Sequence, residues 1–262
     1  MSDALERPVP GFNERERGEL LHDALEHIWS EVRDSTRLGA LESDPAAESR
    51  LVDDSALQAI ARLCRRRDPG SRWRERERLR MQALLTKWLQ LERRREPFEV
   101  EHLEEGAQVA RHAGLEFSVR IDRTDRLADG ARVLIDYKSG MAAPDWRGER
   151  PDNPQLPIYA LLRREALAAV AYGRINAAGC SFVAESERAG IFGAGSAITK
   201  MEGEPTIAAL TEVWSRRIEK LAADLKNGRA AVNPTPEACR SCHLHGLCRI
   251  PSALDDTGNG DG

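Results

Sequence analysis

The chain has 262 residues, 41% of them hydrophobic, enough to bury a substantial core in one sizeable domain or two small ones. With 39 Lys and Arg against 43 Asp and Glu, a net charge of −4, bulk electrostatics exclude a generally basic nucleic-acid binder, so any basic surface must be local. No apolar run approaches the roughly 20 residues of a membrane span, and Met1-Ser2-Asp3 begins no charged-then-apolar leader, which makes the cytoplasm the expected location.

Residues 1–13 read as a flexible N-terminal segment. Asn13, with Glu16 three residues on, signals a cap for a helix over about 14–33, in which Leu21, Leu25, Ile28, Trp29 and Val32 recur at helical spacing. STRLGALESDPAAESR, 35–50, reads as a loop, and DSALQAIARLCRRR, 54–67, as a second helix stopped by Asp68-Pro69-Gly70. A third runs from Ser71 to about Arg95, with Leu84, Leu85, Trp88 and Leu89 inward and mixed Arg and Glu outward. Residues 34–97 thus form a helical insertion.

From Phe98 the period changes to two. FEVEHLEEG (98–106), LEFSVRIDRTDRL (115–127) and ARVLIDYKSG (131–140) read as three consecutive strands, the last two joined by Ala128-Asp129-Gly130. DNPQLPIYALLRREAL (152–167) reads as a helix capped by Asp152 or Asn153, with Pro154 at its first position. AVAYGRIN (169–176) and GCSFVAES (179–186) are the next strands, and a final helix over about 206–226 ends at Asn227-Gly228. A cysteine segment, 239–248, and a Gly/Asp-rich tail expected to be disordered, 250–262, complete the chain.

On a strand, residues two apart share a face, so Asp136 and Lys138 point one way and Val133, Ile135 and Tyr137 the other. With Gly130 left-handed in a three-residue turn, Leu127 pairs with Ala131, and the register sets Asp122 opposite Asp136. Facing carboxylates repel unless a cation joins them, and a hard ion such as Mg²⁺ takes carboxylates plus water and phosphate oxygens. Lys138 beside them could orient or deprotonate an attacking water, or stabilise charge on a phosphate. Taken alone, an Asp-x-Lys tripeptide equally describes a solvated surface ion pair; the apolar flanks and the opposed Asp122 argue for a site.

IDRTDR, IDYKSG and NPQLPIYA, taken in order, resemble the successive motifs of the RecB/AddB-type nucleases of the PD-(D/E)xK superfamily; RGELLH resembles that family's G-x-x-x-H helix, and CRSCHLHGLC its iron–sulfur segment. The resemblance spans about Gly18 to Arg249 and is closest to the C-terminal nuclease domain of an AddB-like DNA repair protein. It implies an α/β fold with a restriction-endonuclease-like core, a mixed β-sheet flanked by helices, over residues 14–249. It implies metal ligands at His22, Asp122 and Asp136, with the Ile135 or Tyr137 carbonyl as a further oxygen, for Mg²⁺ or Mn²⁺. Lys138 would be the catalytic lysine, and Gln155 and Tyr159 would match a Q-x-x-x-Y motif on one helical face. Glu104 occupies the place of a first-strand acidic residue.

Cys239, Cys242 and Cys248 supply three closely spaced thiolates. In the family a fourth cysteine upstream of the histidine helix completes a [4Fe–4S] cluster, and the preceding residues here contain none, as expected of an N-terminally truncated relative. Cys64 could stand in, or His243 or His245 could complete a Zn²⁺ site. Cys180 reads as a small buried residue. Arg65, Arg66 and Arg67 are the candidate DNA-backbone contacts, and Trp146 could either stack on a base or close a core edge. The expected activity is metal-dependent hydrolysis of DNA in repair or recombination, with unwinding left to a separate helicase partner because no G-x-x-x-x-G-K-[ST] loop is present. A non-catalytic DNA-binding or scaffold remnant, and a CRISPR-associated or RNA-directed relative, are the alternatives.

Overall fold

A computed structural model describes residues 10–103, 108–140, 146, 148, 154–163, 166–193, 197–200 and 206–229. By its contacts the chain divides into Val9–Ala223 and a second unit made of Met1–Pro8 with Asp224–Gly262. The layered core lies in the first unit.

Helix α1 (Glu14–Val32) begins where Asn13 and Glu16 exchange side-chain to backbone hydrogen bonds of 2.8 Å, the reciprocal cap expected. The stretch expected to be a loop is helical instead: α2 (Ser35–Glu42) and the start of α3 (Pro45–Cys64) occupy it. Asp34 accepts from Arg37 N at 2.8 Å and Asp44 from Ala47 N at 2.9 Å, so each aspartate caps a helix. Pro45 sits at a first helical position, where its missing N–H costs nothing. Asp-Pro therefore starts a helix here. Helix α4 (Ser71–Glu92) follows, and the apolar stripes of α1, α3 and α4 share one core with the sheet.

The main sheet has six strands in the order β1 (Phe98–Leu103), β4 (Arg123–Leu127), β5 (Arg132–Lys138), β6 (Leu167–Asn176), β7 (Gly179–Ser186) and β8 (Ala197–Lys200). The β5–β6 and β7–β8 pairs are parallel and the others antiparallel. The span 115–127 is not one strand: β2 (Gln108–His112) and β3 (Leu115–Val119) form a separate hairpin, and only β4 enters the sheet. The turn of that hairpin, Ala113-Gly114, has φ of 51° and 70°, and an alanine in the left-handed region is a weak sequence signal for a turn.

Helix α5 (Gln155–Leu162) connects β5 to β6 and packs on the second face with α6 (Ile207–Lys226). Pro154 is its N-cap rather than its first residue, its carbonyl accepting from Ile158 N at 2.8 Å. The helix stops at Leu162, where Arg163 turns extended at φ −94° and ψ 132°, and β6 starts at Leu167, earlier than the alternation indicated. The result is a mixed sheet with helices on both faces, the restriction-endonuclease-like α/β architecture expected.

Candidate active site

The β4–β5 hairpin has the register expected from its turn. Gly130 is left-handed at φ 84°, Leu127 N donates to Ala131 O at 2.8 Å, and Arg123 pairs with Ile135. Asp122, one residue before β4, therefore lies across from Asp136. Asp136 is 1% exposed and Asp122 7%, so both carboxylates are withdrawn from water. Burial first, and then the charge of Asp122, push the Asp136 carboxyl up to about 6, against the opposing pull of Lys138 and His22.

Tyr137 ties the elements together through its peptide. Its N–H donates to Asp122 Oδ2 at 2.7 Å, and its carbonyl lies 3.0 Å from His22 Nε2 on α1. A carbonyl only accepts, so Nε2 carries a proton, while Nδ1 lies 3.3 Å from Asp122 Oδ1. Burial alone would lower the His22 pKa; the Asp122 hydrogen bond and the charges of Asp122 and Asp136 outweigh it and raise it. Gly18, one turn earlier on α1, faces the end of β5, where an added Cβ would make ordinary van der Waals contact with Ser139 Oγ at 3.5 Å.

On the other side of Asp136, Lys138 Nζ lies 2.6 Å from Asp136 Oδ2 and donates to Gln155 Oε1 at 2.8 Å. The contact with Oδ2 is ionic without hydrogen-bond geometry, which leaves that buried oxygen with no hydrogen bond. Because Gln155 Oε1 accepts from Lys138, its amide nitrogen must face the other way: it donates to Asp136 Oδ1 at 2.6 Å and to Tyr159 OH at 2.8 Å. The Lys138 ammonium also lies 5.3 Å from the centroid of the Tyr172 ring on β6. Sequence spacing thus brought together five of its candidates, with His22 joining from α1.

Among the described residues no three His, Cys, Asp or Glu side chains are already gathered at ligand distance round one point. The donor set nonetheless suits a hard divalent cation. It comprises two crowded carboxylates, one with a buried oxygen lacking a hydrogen bond, an imidazole nitrogen, and the carbonyl with which that nitrogen shares a proton.

Other candidates fare differently. Arg66 pairs with Glu19, and Arg67 with Glu16 and the Gly11 carbonyl, so both guanidinium groups hold α3 to α1. Arg65 caps α3 and lines a cleft with Asp23, His27 and Arg62. Trp146 is 3% exposed, packs against the Tyr172 ring at a tilt of 46° and accepts the Trp214 indole N–H at its carbonyl, so it closes a core edge. Cys64 and Cys180 are half-buried free thiols at the edge of the core. Glu104, Cys239, Cys242 and Cys248 lie outside the described residues.

Two features escaped the sequence reading. Beneath the site, on the Tyr137 face, Arg123 binds Asp125 bidentately at 2.6 and 2.7 Å and Glu92 at 2.8 and 3.2 Å, and Arg95 joins the same two acids. All four side chains are fully buried. On β6, Arg174 stands in register with Lys138. A lone arginine in the apolar run AVAYGRIN was the available signal.

The model of a family described as the PD-(D/E)XK nuclease superfamily matches this chain over residues 3–249. No curated protein matches it.

Proposed function

The chain belongs to the PD-(D/E)XK nuclease superfamily, and from that premise we propose that it is a Mg²⁺- or Mn²⁺-dependent deoxyribonuclease of the RecB/AddB type, cutting phosphodiester bonds in DNA repair or recombination. The observation that carries the reading is the convergence of His22, Asp122, Asp136 and the Tyr137 carbonyl beside a lysine that Gln155 holds in place.

His22, Asp122, Asp136 and the Tyr137 carbonyl would hold the cation, which when bound supplies Lewis acidity toward a phosphate oxygen and a more acidic water. Lys138 has three N–H bonds. One donates to Gln155 and Asp136 lies against the ammonium, which leaves donor capacity for the scissile phosphate or for the attacking water. Gln155 fixes the distance between the lysine and the carboxylate, and Tyr159 fixes Gln155 from the following turn. Asp136, raised to about 6, gives up its proton readily at neutral pH and so competes little with a cation there.

Cys239, Cys242 and Cys248 would supply three of the four ligands of a [4Fe–4S] cluster or of Zn²⁺. Iron, sulfide and zinc analysis of anaerobically purified protein separates the two.

The test is cleavage of end-labelled single- and double-stranded DNA, with RNA in parallel, in Mg²⁺ or Mn²⁺, comparing wild type with Asp136→Ala and Lys138→Ala. Metal-dependent cutting lost in both variants supports the reading. A folded wild type that cuts no more than its variants would sink it in favour of a binding-only module, and a preference for RNA would redirect it to an RNA-directed relative.

A further inference from the structure

Almost every arginine that this fold draws toward its interior has an acid to meet. Arg123 and Arg95 share Glu92 and Asp125, Arg93 has Glu48, Arg132 has Glu101 and Arg78 has Asp53. Arg174 meets none. It is half-buried, its Nε is out of contact with solvent, and among the described residues its guanidinium has no hydrogen-bond or ion-pair partner. A buried donor left unmet by the protein is a standing cost unless something else meets it.

Its position indicates what that is. β5 and β6 are parallel, and Arg174 is in register with Lys138, so the two side chains leave the sheet on the same face from neighbouring strands. Tyr172, two residues earlier on β6, confirms the face, since the Lys138 ammonium lies over its ring. Both cations stand at the carboxyl ends of a parallel strand pair, where open α/β sheets bind their ligands. Neighbouring like charges oppose folding, and here only one is neutralised internally, Lys138 by Asp136. Asp136 is already engaged by Lys138 and Gln155. The guanidinium fork fits the two oxygens of a phosphodiester.

Resting on the nuclease reading, we propose that Arg174 binds substrate, gripping a backbone phosphate adjacent to the one cut beside Lys138. It acts on the sugar-phosphate chain and not on bases, so its contribution is independent of sequence and sensitive to salt.

The experiment measures binding of a fluorescein-labelled oligonucleotide across a salt series, together with steady-state cleavage, for wild type, Arg174→Gln and Arg174→Lys. The Gln variant is expected to bind about tenfold more weakly, as for loss of one charge-assisted contact. The slope of log affinity against log salt should fall by about 0.7 on a single strand or 0.9 on a duplex. KM should rise more than kcat falls, and the Lys variant should restore the slope but not all the affinity. If wild type binds and cuts DNA and the Gln variant matches its affinity and slope, Arg174 has no substrate role and the nuclease reading stands. If folded wild type neither binds nor cuts, both fall. Should the Gln variant not fold, the Lys variant decides: a loss of about threefold or more at unchanged slope supports the assignment, because a point charge replaces a fork, and full affinity overturns it.

Discussion

The phenol of Tyr137 accepts a hydrogen bond from Arg123 Nη1 at 3.2 Å on the face of the sheet opposite Asp136. The peptide of the same tyrosine holds Asp122 and contacts His22. One residue thereby couples a buried charge network to the site. Arg123 follows Asp122 directly in sequence, so its anchorage to Asp125 and Glu92 also fixes where the Asp122 carboxylate stands. The guanidinium is further covered by the Trp29 ring, 3.7 Å away.

That network should be costly to break. Glu92→Gln removes one charge from a group with no access to water and leaves Arg123 and Arg95 sharing Asp125, which should destabilise the protein by roughly 3–5 kcal/mol. The exposed pair Arg126–Glu99 is the control, and Glu99→Gln should cost under about 1 kcal/mol. Tyr137→Phe removes one acceptor from Arg123 and should cost about 1 kcal/mol. Urea denaturation measures all three. Equal losses for Glu92→Gln and Glu99→Gln would mean that the buried network contributes no more than a surface pair.

Asp136 makes the site a source of instability. Its folded pKa of about 6 lies above the ordinary carboxylate value of about 4, so between those pH values the folded state keeps a proton that the unfolded chain has released. Stability therefore falls as pH rises through that window, by up to roughly 3 kcal/mol from this group. In EDTA, Asp136→Asn should flatten this fall and exceed wild type in stability at pH 8 while cutting no DNA. Added Mg²⁺ should raise the melting temperature of wild type and not of the variant. A variant less stable than wild type at pH 8 in EDTA would show that the carboxylate is favourably placed without a cation.

Much of this was legible from local pattern. The turn at Ala128-Asp129-Gly130 fixed a register, and that register alone faced Asp122 with Asp136, because strand pairing has no freedom once its turn is set. Capping residues located α1 for the same reason. What was not legible depends on long-range packing. Arg123 and Asp125 belong to a strand whose Arg and Asp suggest solvent, and only the arrival of Glu92 at the end of α4 and Arg95 in the turn that follows makes their burial tolerable. Arg66 and Arg67 looked free to meet DNA until α1 supplied Glu19 and Glu16. The β2–β3 hairpin escaped because its turn uses an alanine where a sequence reading looks for asparagine or glycine.

Gln155 is the last link to test, because it touches both Lys138 and Asp136 and its orientation is fixed by which of its atoms accepts. If it works by holding the lysine against the carboxylate, Gln155→Ala should lower single-turnover cleavage about 100-fold, the size of effect expected from misplacing a reacting group by about 1 Å. Lys138→Ala should lower it by about 10²–10⁴-fold. The two losses should not multiply: once the lysine is gone, removing the glutamine that positions it should cost only a few-fold more. Tyr159→Phe keeps the ring but removes the hydroxyl that accepts from Gln155, and should give a smaller loss of the same kind. Full multiplicativity between Gln155→Ala and Lys138→Ala would instead mean that the glutamine acts on the substrate directly, with Lys138 working unaided.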